Sequence, residues 1–420
     1  LGPHLRVSSP SGLSTLMTSA PKSAKVCPIQ GPARTRANST TFKPSSGYIW
    51  LPLDFHNVQF GAGLSEVFGM VSASAHPFFQ FWRRMLGKEE TMGRPIRFAI
   101  NGFGRIGRAV ARQWVEQQAE GRFDLVAIND IAPLETCAYL LEFDSVYGPM
   151  VGSIESSSDR LIVNGHAVRF SQKSDLAAVD LSDVDVVFEC TGKAVTAQFA
   201  SAGLRAGAQR VLISGPSECA DVTVVLGAND HVLSGQRIVS NASCTTNALA
   251  PLLRVLHEAY GVLAGHMTTI HCYTGSQPTV DAPRGAALER NRAAALSMVP
   301  TSTSAAVLID KILPDLAGRV KGCAVRVPTA SVSAVDLTCQ VAHPVEQEAL
   351  IELLRQARPD ILGMTDRPLV SSDLRARRES LVIAAPQVAV MGQDLLRIFG
   401  WYDNEWGFSA RMFDVAAKIT

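Results

Sequence analysis

The chain has 420 residues, enough for roughly two or three domains. Hydrophobic residues make up 47% and charged residues 18%, with a formal net charge of +1. There is material for a large core, and no bulk charge to draw a nucleic acid, an anionic membrane surface or an acidic partner. Eight cysteines lie apart, at 27, 137, 190, 219, 244, 272, 323 and 339, with no CxxC pair. That spacing argues against a zinc ribbon or redox dithiol, and for reduced, mostly buried thiols in an intracellular protein without a metal. No apolar run reaches the length of a membrane span.

Residues 1–93 read as a leader. They are rich in Ser, Thr, Pro and Gly, and up to Lys88 they hold two acids, Asp54 and Glu66, against nine Lys and Arg. Such a stretch is either an organelle transit peptide or an unstructured, non-native tail, with Met92 a sensible start.

From Arg97 the pattern changes. Arg97 to Asn101 is a short apolar strand, residues 102–107 form a glycine-rich turn, and Arg108 to Gln118 has helical spacing. Leu125 to Asp130, Val184 to Glu189 and Arg210 to Ser214 read as further strands, with a helix over Ala194 to Ala206. Alternating strands and helices predict an α/β fold, a Rossmann-type doubly wound parallel sheet. After Cys244, the strands Met267 to His271, Cys323 to Val327 and Ser333 to Val341 carry polar positions and predict a mixed or antiparallel sheet in an α+β domain.

Gly102, Gly104 and Gly107 form a G-x-G-x-x-G turn, with Arg105 and Ile106 inside it. A strand precedes the turn, a helix follows it, and a second strand ends in Asp130. Gly102 permits the turn, Gly104 lets the backbone approach a pyrophosphate, and Gly107 lets helix and strand pack closely. The helix N-terminus offers N–H groups to the phosphates. Asp130 suits the ribose hydroxyls and repels a 2′-phosphate, so NAD is the expected cofactor.

Ser, Thr and Asn cluster at 240–247 before a helix over Ala248 to Tyr260, which puts Cys244 at a helix N-terminus. Free N–H groups and the helix dipole favour a thiolate there, and can hold an oxyanion. His271 ends an apolar strand, where α/β sites assemble, and is a candidate base for Cys244. Each has a blander reading, a buried inert cysteine and a structural histidine.

With INGFGRIGR (100–108), SNASCTTN (240–247), MTTIH (267–271), RVPT (326–329) and WYDNEWG (401–407), residues 97–420 resemble glyceraldehyde-3-phosphate dehydrogenase. The resemblance implies phosphate-dependent oxidation of D-glyceraldehyde 3-phosphate to 1,3-bisphosphoglycerate, with NAD reduced. The enzyme would be a homotetramer in the cytoplasm, or in an organelle if the leader is a transit peptide. Cys244 would form a thiohemiacetal and then a thioester, and His271 would act as base. Thr274, Ser276 and Arg326 would bind the substrate phosphate. Ser243, Thr245, Arg290 and Thr303 would bind inorganic phosphate, and Asn404 the nicotinamide carboxamide. Implied bounds are 94–243 for the NAD-binding domain, completed by a helix over 404–420, and 244–403 for the catalytic domain. A loop over 273–297 would lie at subunit contacts.

Departures from the family pattern are Ala248 in place of a second cysteine, Ser276, and Ser304 beside the inorganic-phosphate pocket. Rival readings are erythrose-4-phosphate dehydrogenase, which Thr274 disfavours, an aspartate-semialdehyde-type dehydrogenase, and a catalytically silent binding protein.

Overall fold

The computed structural model describes residues 93–420, so the expectations for the leader lie outside the described residues. The first half is built on β1 (Ile96–Asn101), α1 (Arg105–Gln117), β2 (Phe123–Asn129), α2 (Leu134–Glu142), β3 (Ile154–Ser157), β4 (Arg160–Val163) and β5 (His166–Ser171). It continues with β6 (Val186–Glu189), two short helices α3 (Ala197–Ala200) and α4 (Ala202–Arg205), β7 (Arg210–Ile213), β8 (Val222–Thr223) and β9 (Ile238–Ser240). These strands form one sheet in the order β3-β4-β5-β2-β1-β6-β7-β9-β8. β1 lies at the centre because its apolar residues are buried on both faces, as parallel strands covered by helices require. Phe98 of β1 packs on Phe188 of β6, ring centroids 5.0 Å apart.

The expected parallel Rossmann-type sheet is present, and one edge extends it: β3, β4 and β5 form antiparallel hairpins, and β5 then runs parallel to β2. One expectation needs correction. The expected helix over 194–206 is broken into α3 and α4, because Ser201 leaves helical geometry at φ −93°, ψ 0°. Its hydroxyl donates to the Ala197 carbonyl at 2.7 Å, so a side chain competes for the backbone bond at the break.

The second half runs through α5 (Cys244–Tyr260), β10 (Val262–Cys272), β11 (Val299–Thr301), α6 (Ala305–Ile312), β12 (Val320–Val327), β13 (Ser333–Val341) and α7 (Gln347–Gln356). It ends with β14 (Leu362–Thr365), β15 (Leu381–Ala384), β16 (Ala389–Met391), β17 (Leu395–Tyr402) and α8 (Trp406–Ile419). The sheet order is β11-β12-β10-β13-β17-β15-β14, with β16 on β17. β10 pairs parallel with β12 and antiparallel with β13, so this sheet is mixed, as the polar strand texture predicts. Leu249, Leu252, Leu253 and Leu256 bury α5 in a core shared with both sheets. α8 returns to the first sheet, where Phe413 meets Phe98 and Phe123 with centroids 5.7 and 4.9 Å apart. Among the described residues no helix is long and apolar enough to cross a membrane.

Candidate active site

The glycine turn joins β1 to α1 under a cavity of about 260 Å³. Gly102 sits at φ +91°, and a Cβ there would lie 2.7 Å from the Thr191 backbone nitrogen. A Cβ on Gly107 would collide with the Gly102 carbonyl oxygen, whereas one on Gly104 would meet nothing within 4 Å. The first and third glycines are therefore dictated by backbone packing, and the second faces open space. Gly104 caps α1 with no side-chain bond, which leaves the Arg105 and Ile106 N–H groups of the first turn free for an anion. The Asp130 carboxylate accepts from the Phe103 N–H at 2.6 Å and the Ala132 N–H at 2.8 Å, which fixes it at the cavity wall. Open space at Gly104, free helix N–H groups and a fixed carboxylate fit a dinucleotide. The Arg105 side chain points elsewhere, pairing with Glu405 at 2.6 Å and with Asp144.

Cys244 opens α5. Ser243 is its N-cap, accepting from the Thr246 N–H at 3.1 Å, and Ala242 before it holds the left-handed φ of +53°. A non-glycine residue there stores strain that the buried surroundings must sustain. The Cys244 sulfur lies 3.7 Å from His271 Nε2. His271 reaches this point because β10 pairs with β12 in a register that sets His271 beside Arg326. Arg326 Nη1 donates to the Cys272 carbonyl at 2.9 Å, and His271 Nδ1 lies 2.7 Å from the same oxygen. Arg326 Nη1 also lies 2.8 Å from Nδ1, where an arginine can only donate. A ring that offers its Nε2 lone pair to the sulfur must instead carry its proton on Nδ1, donated to that carbonyl.

Burial holds the imidazole neutral, lowering its pKa from the ordinary 6.5 to about 4, and the Arg326 charge pushes the same way. Burial also pushes the Cys244 thiol up, against the Thr245 hydrogen bonds and the Arg326 charge that pull it down. The helix N-terminus alone therefore does not make the resting group a thiolate. The arrangement is a thiol beside a neutral base, ready to lose its proton as it attacks.

The Thr274 and Ser276 hydroxyls lie 3.0 Å apart on the exposed loop after β10. The Thr303 hydroxyl accepts from the Ala305 N–H at 3.2 Å at the start of α6, and Ser304 beside it is exposed. Burial lowers the Arg326 pKa, and the Arg290 charge adds a smaller push the same way. Arg326 Nε is buried without a hydrogen-bond partner. The Ser243 and Thr245 hydroxyls already have protein partners, Thr246 and Tyr402 respectively. The Asn404 carbonyl oxygen receives Cys272 Sγ at 3.1 Å and Ser333 Oγ at 3.3 Å, which leaves its amide nitrogen to donate outward.

Sequence reasoning missed Tyr402, Cys272 and Ser333. The buried Tyr402 hydroxyl bridges Thr245 Oγ1 at 2.9 Å and Thr269 Oγ1 at 2.8 Å, tying the nucleophile's helix to β10. An aromatic with a polar tip directly before the Asp403–Asn404 pair was the available signal. No group of three or more His, Cys, Asp or Glu among the described residues is placed to hold a metal ion.

Residues 96–197 match the NAD binding domain of glyceraldehyde 3-phosphate dehydrogenase, and residues 243–404 match its C-terminal domain. Among curated proteins, the chain is 45% identical to glyceraldehyde-3-phosphate dehydrogenase of Xanthobacter flavus and 46% identical to that of Cereibacter sphaeroides. It is 44% identical to that of Pseudomonas aeruginosa. Each match covers 77% of this chain and 98% of the relative.

Proposed function

The chain belongs to the glyceraldehyde-3-phosphate dehydrogenase family, and from that premise we propose that Cys244 and His271 carry its reaction. It is an NAD-dependent oxidoreductase with glyceraldehyde-3-phosphate dehydrogenase activity, a reaction of glycolysis. The observation that carries the assignment of residues is the 3.7 Å approach of Cys244 Sγ to His271 Nε2 at the start of a buried helix.

In this reading Cys244 Sγ attacks the aldehyde carbon while His271 Nε2 takes the thiol proton. The first N–H groups of α5 hold the oxygen as it gains charge, and His271 hands the proton on to that oxygen, which gives the thiohemiacetal hydroxyl and a neutral ring again. When bound, NAD supplies the hydride acceptor that converts the thiohemiacetal to a thioester. His271 removes the hydroxyl proton in that step, with Nδ1 anchored on the Cys272 carbonyl. Inorganic phosphate then attacks the thioester carbon, releasing 1,3-bisphosphoglycerate and restoring the thiol. Arg326, Thr274 and Ser276 hold the substrate phosphate. Arg290, Thr303, Ser243 and Thr245 receive the attacking phosphate, and two of these hydroxyls must first leave protein partners.

Gly102, Gly104, Gly107 and the N–H groups of Arg105 and Ile106 hold the pyrophosphate of NAD. Asp130 holds the adenosine ribose, and Asn404 the carboxamide. We assign 94–243 with the helix from 404 to the cofactor, and 244–403 to catalysis. Family membership also supports a homotetramer working in the cytoplasm, which sedimentation and cell fractionation test directly.

The test is NADH formation with glyceraldehyde 3-phosphate, with and without inorganic phosphate, and with erythrose 4-phosphate and NADP in parallel. Sustained turnover that requires phosphate and prefers the three-carbon sugar supports the whole route. Preference for erythrose 4-phosphate overturns the assigned roles of Thr274 and Ser276. Phosphate-independent turnover overturns the thioester's fate.

A further inference from the structure

Below the dinucleotide cavity a chain of buried polar side chains crosses four adjacent strand ends, of β6, β1, β2 and β5. Glu189 Oε1 accepts the Thr191 N–H at 2.9 Å and the Thr191 hydroxyl, and Oε2 accepts Asn101 Nδ2. Asn101 Oδ1 accepts Asn129 Nδ2 at 2.9 Å. Asn129 Nδ2 also donates to the Lys173 carbonyl at 2.9 Å, and Asn129 Oδ1 accepts the Lys173 N–H at 2.9 Å and the Ser171 hydroxyl at 2.8 Å. Glu189, Asn101 and Asn129 are all buried, and Lys173 and Thr191, at the two ends of the chain, both line the cavity.

The two ends of this chain are backbone groups, which cannot be turned around, and they dictate its polarity. The Lys173 N–H needs an acceptor, so Asn129 must present Oδ1 to it and Nδ2 to Asn101. Asn101 must then present Oδ1 to Asn129 and Nδ2 to Glu189. The Thr191 N–H makes the same demand from the other side. The residue at 189 must therefore accept on both of its terminal atoms, which an amide cannot do and a carboxyl group can.

We propose that Glu189 is a positioning residue for the cofactor: its carboxylate sets the direction of a hydrogen-bond relay that holds the Thr191 and Lys173 turns where they line the adenosine cavity. The proposal rests on the reading of that cavity as the adenosine site. Burial raises the Glu189 pKa, and the donors of Thr191 and Asn101 oppose that shift. A glutamine at 189 offers one acceptor and one donor. Its amide either faces Asn101 Nδ2, donor to donor, or forces Asn101 and Asn129 to flip until the Lys173 N–H loses its acceptor. A second change restores order. With Glu189→Gln and Asn101→Asp together, the glutamine amide donates to the new carboxylate, whose other oxygen accepts Asn129 Nδ2. The charge moves one link along and the relay keeps its direction.

The experiment is steady-state kinetics of Glu189→Gln, of the double variant, and of Asp130→Ala as a test of the site itself. Glu189→Gln is expected to raise KM for NAD by about tenfold, the equivalent of one unpaired buried polar group. Its kcat at saturating NAD and its KM for glyceraldehyde 3-phosphate stay within about twofold, and the double variant returns KM for NAD to within about twofold of wild type. An unchanged KM in Glu189→Gln, with a raised one in Asp130→Ala, overturns the relay and leaves the site standing. Unchanged values in both overturn the relay and the site together. A double variant no better than the single one, or equal losses in kcat and both KM values, also overturns the proposal. If Glu189→Gln does not fold, the double variant must still fold and bind NAD, and its failure overturns the polarity rule.

Discussion

Replacing His271 by asparagine should remove a defined segment of the acid destabilisation of this protein. In the fold, burial and the Arg326 charge lower the His271 pKa from 6.5 to about 4. In the unfolded chain the ring takes a proton near pH 6.5. Between these values the unfolded state binds more protons, so stability falls as pH drops through the window and is unaffected by this group above it. A shift of this size corresponds to at most about 3 kcal/mol of stability, lost between roughly pH 6.5 and 4. His271→Asn lowers stability at neutral pH through lost packing and the lost bond to the Cys272 carbonyl. It has no imidazole to titrate, so the gap between wild type and variant should close by about 3 kcal/mol between pH 7 and 4. Guanidinium unfolding at several pH values and one fixed protein concentration measures that gap. A gap that stays constant across the window refutes the neutral, buried imidazole. A gap that widens on acidification means that the ring gains a proton on folding. Arg326→Gln provides an internal check, since losing its charge should raise the folded-state His271 pKa, which narrows the window from its acid side and makes the closure smaller.

Three further outcomes follow from the same geometry. Cys244→Ser should reduce turnover by at least about a thousandfold while NAD binding by calorimetry is kept, and substantial remaining turnover would point to another nucleophile. Tyr402→Phe removes a hydroxyl shared at 2.9 and 2.8 Å by Thr245 and Thr269, so it should cost about 2 kcal/mol in denaturant unfolding and lower kcat, with KM for NAD unmoved. Gly107→Ala drives a Cβ into the Gly102 carbonyl, so α1 must shift from β1. About 1–3 kcal/mol of stability and most of the NAD affinity should go with it, and wild-type binding in the variant would refute the close-packing role.

The glycine turn and the start of α5 were legible because their signals are local. Three glycines at fixed spacing need only the strand before and the helix after. A run of capping residues needs only the helix it caps. The edge hairpins were not read, because the β3 and β4 segments are four residues each and partly polar. A signal was nevertheless present in Asn164-Gly165 between β4 and β5, where both residues have positive φ, +50° and +78°, the turn that this pair favours. The break at Ser201 was illegible for a different reason, since alanine-rich spacing on either side is helical and the interruption shows only in the Ser201 backbone angles and its hydroxyl bond to Ala197.

The site's partners are a third case. His271 and Arg326 are 55 residues apart in the chain and meet through one parallel register, which no local pattern encodes. What the sequence does carry is where such meetings occur. Asn101, Asn129, Glu189 and Ser240 each end an apolar strand, and His271 and Arg326 stand one residue before their strands end. A polar group at the carboxyl end of a buried strand cannot be left unpaired, so it must find either a neighbouring strand end or a ligand. Asn101, Asn129 and Glu189 find one another, which stiffens the floor of the cofactor cavity. His271 and Arg326 share one carbonyl and keep Nε2 and a buried, unpartnered Nε in hand, and that surplus separates the groups that act from the groups that hold.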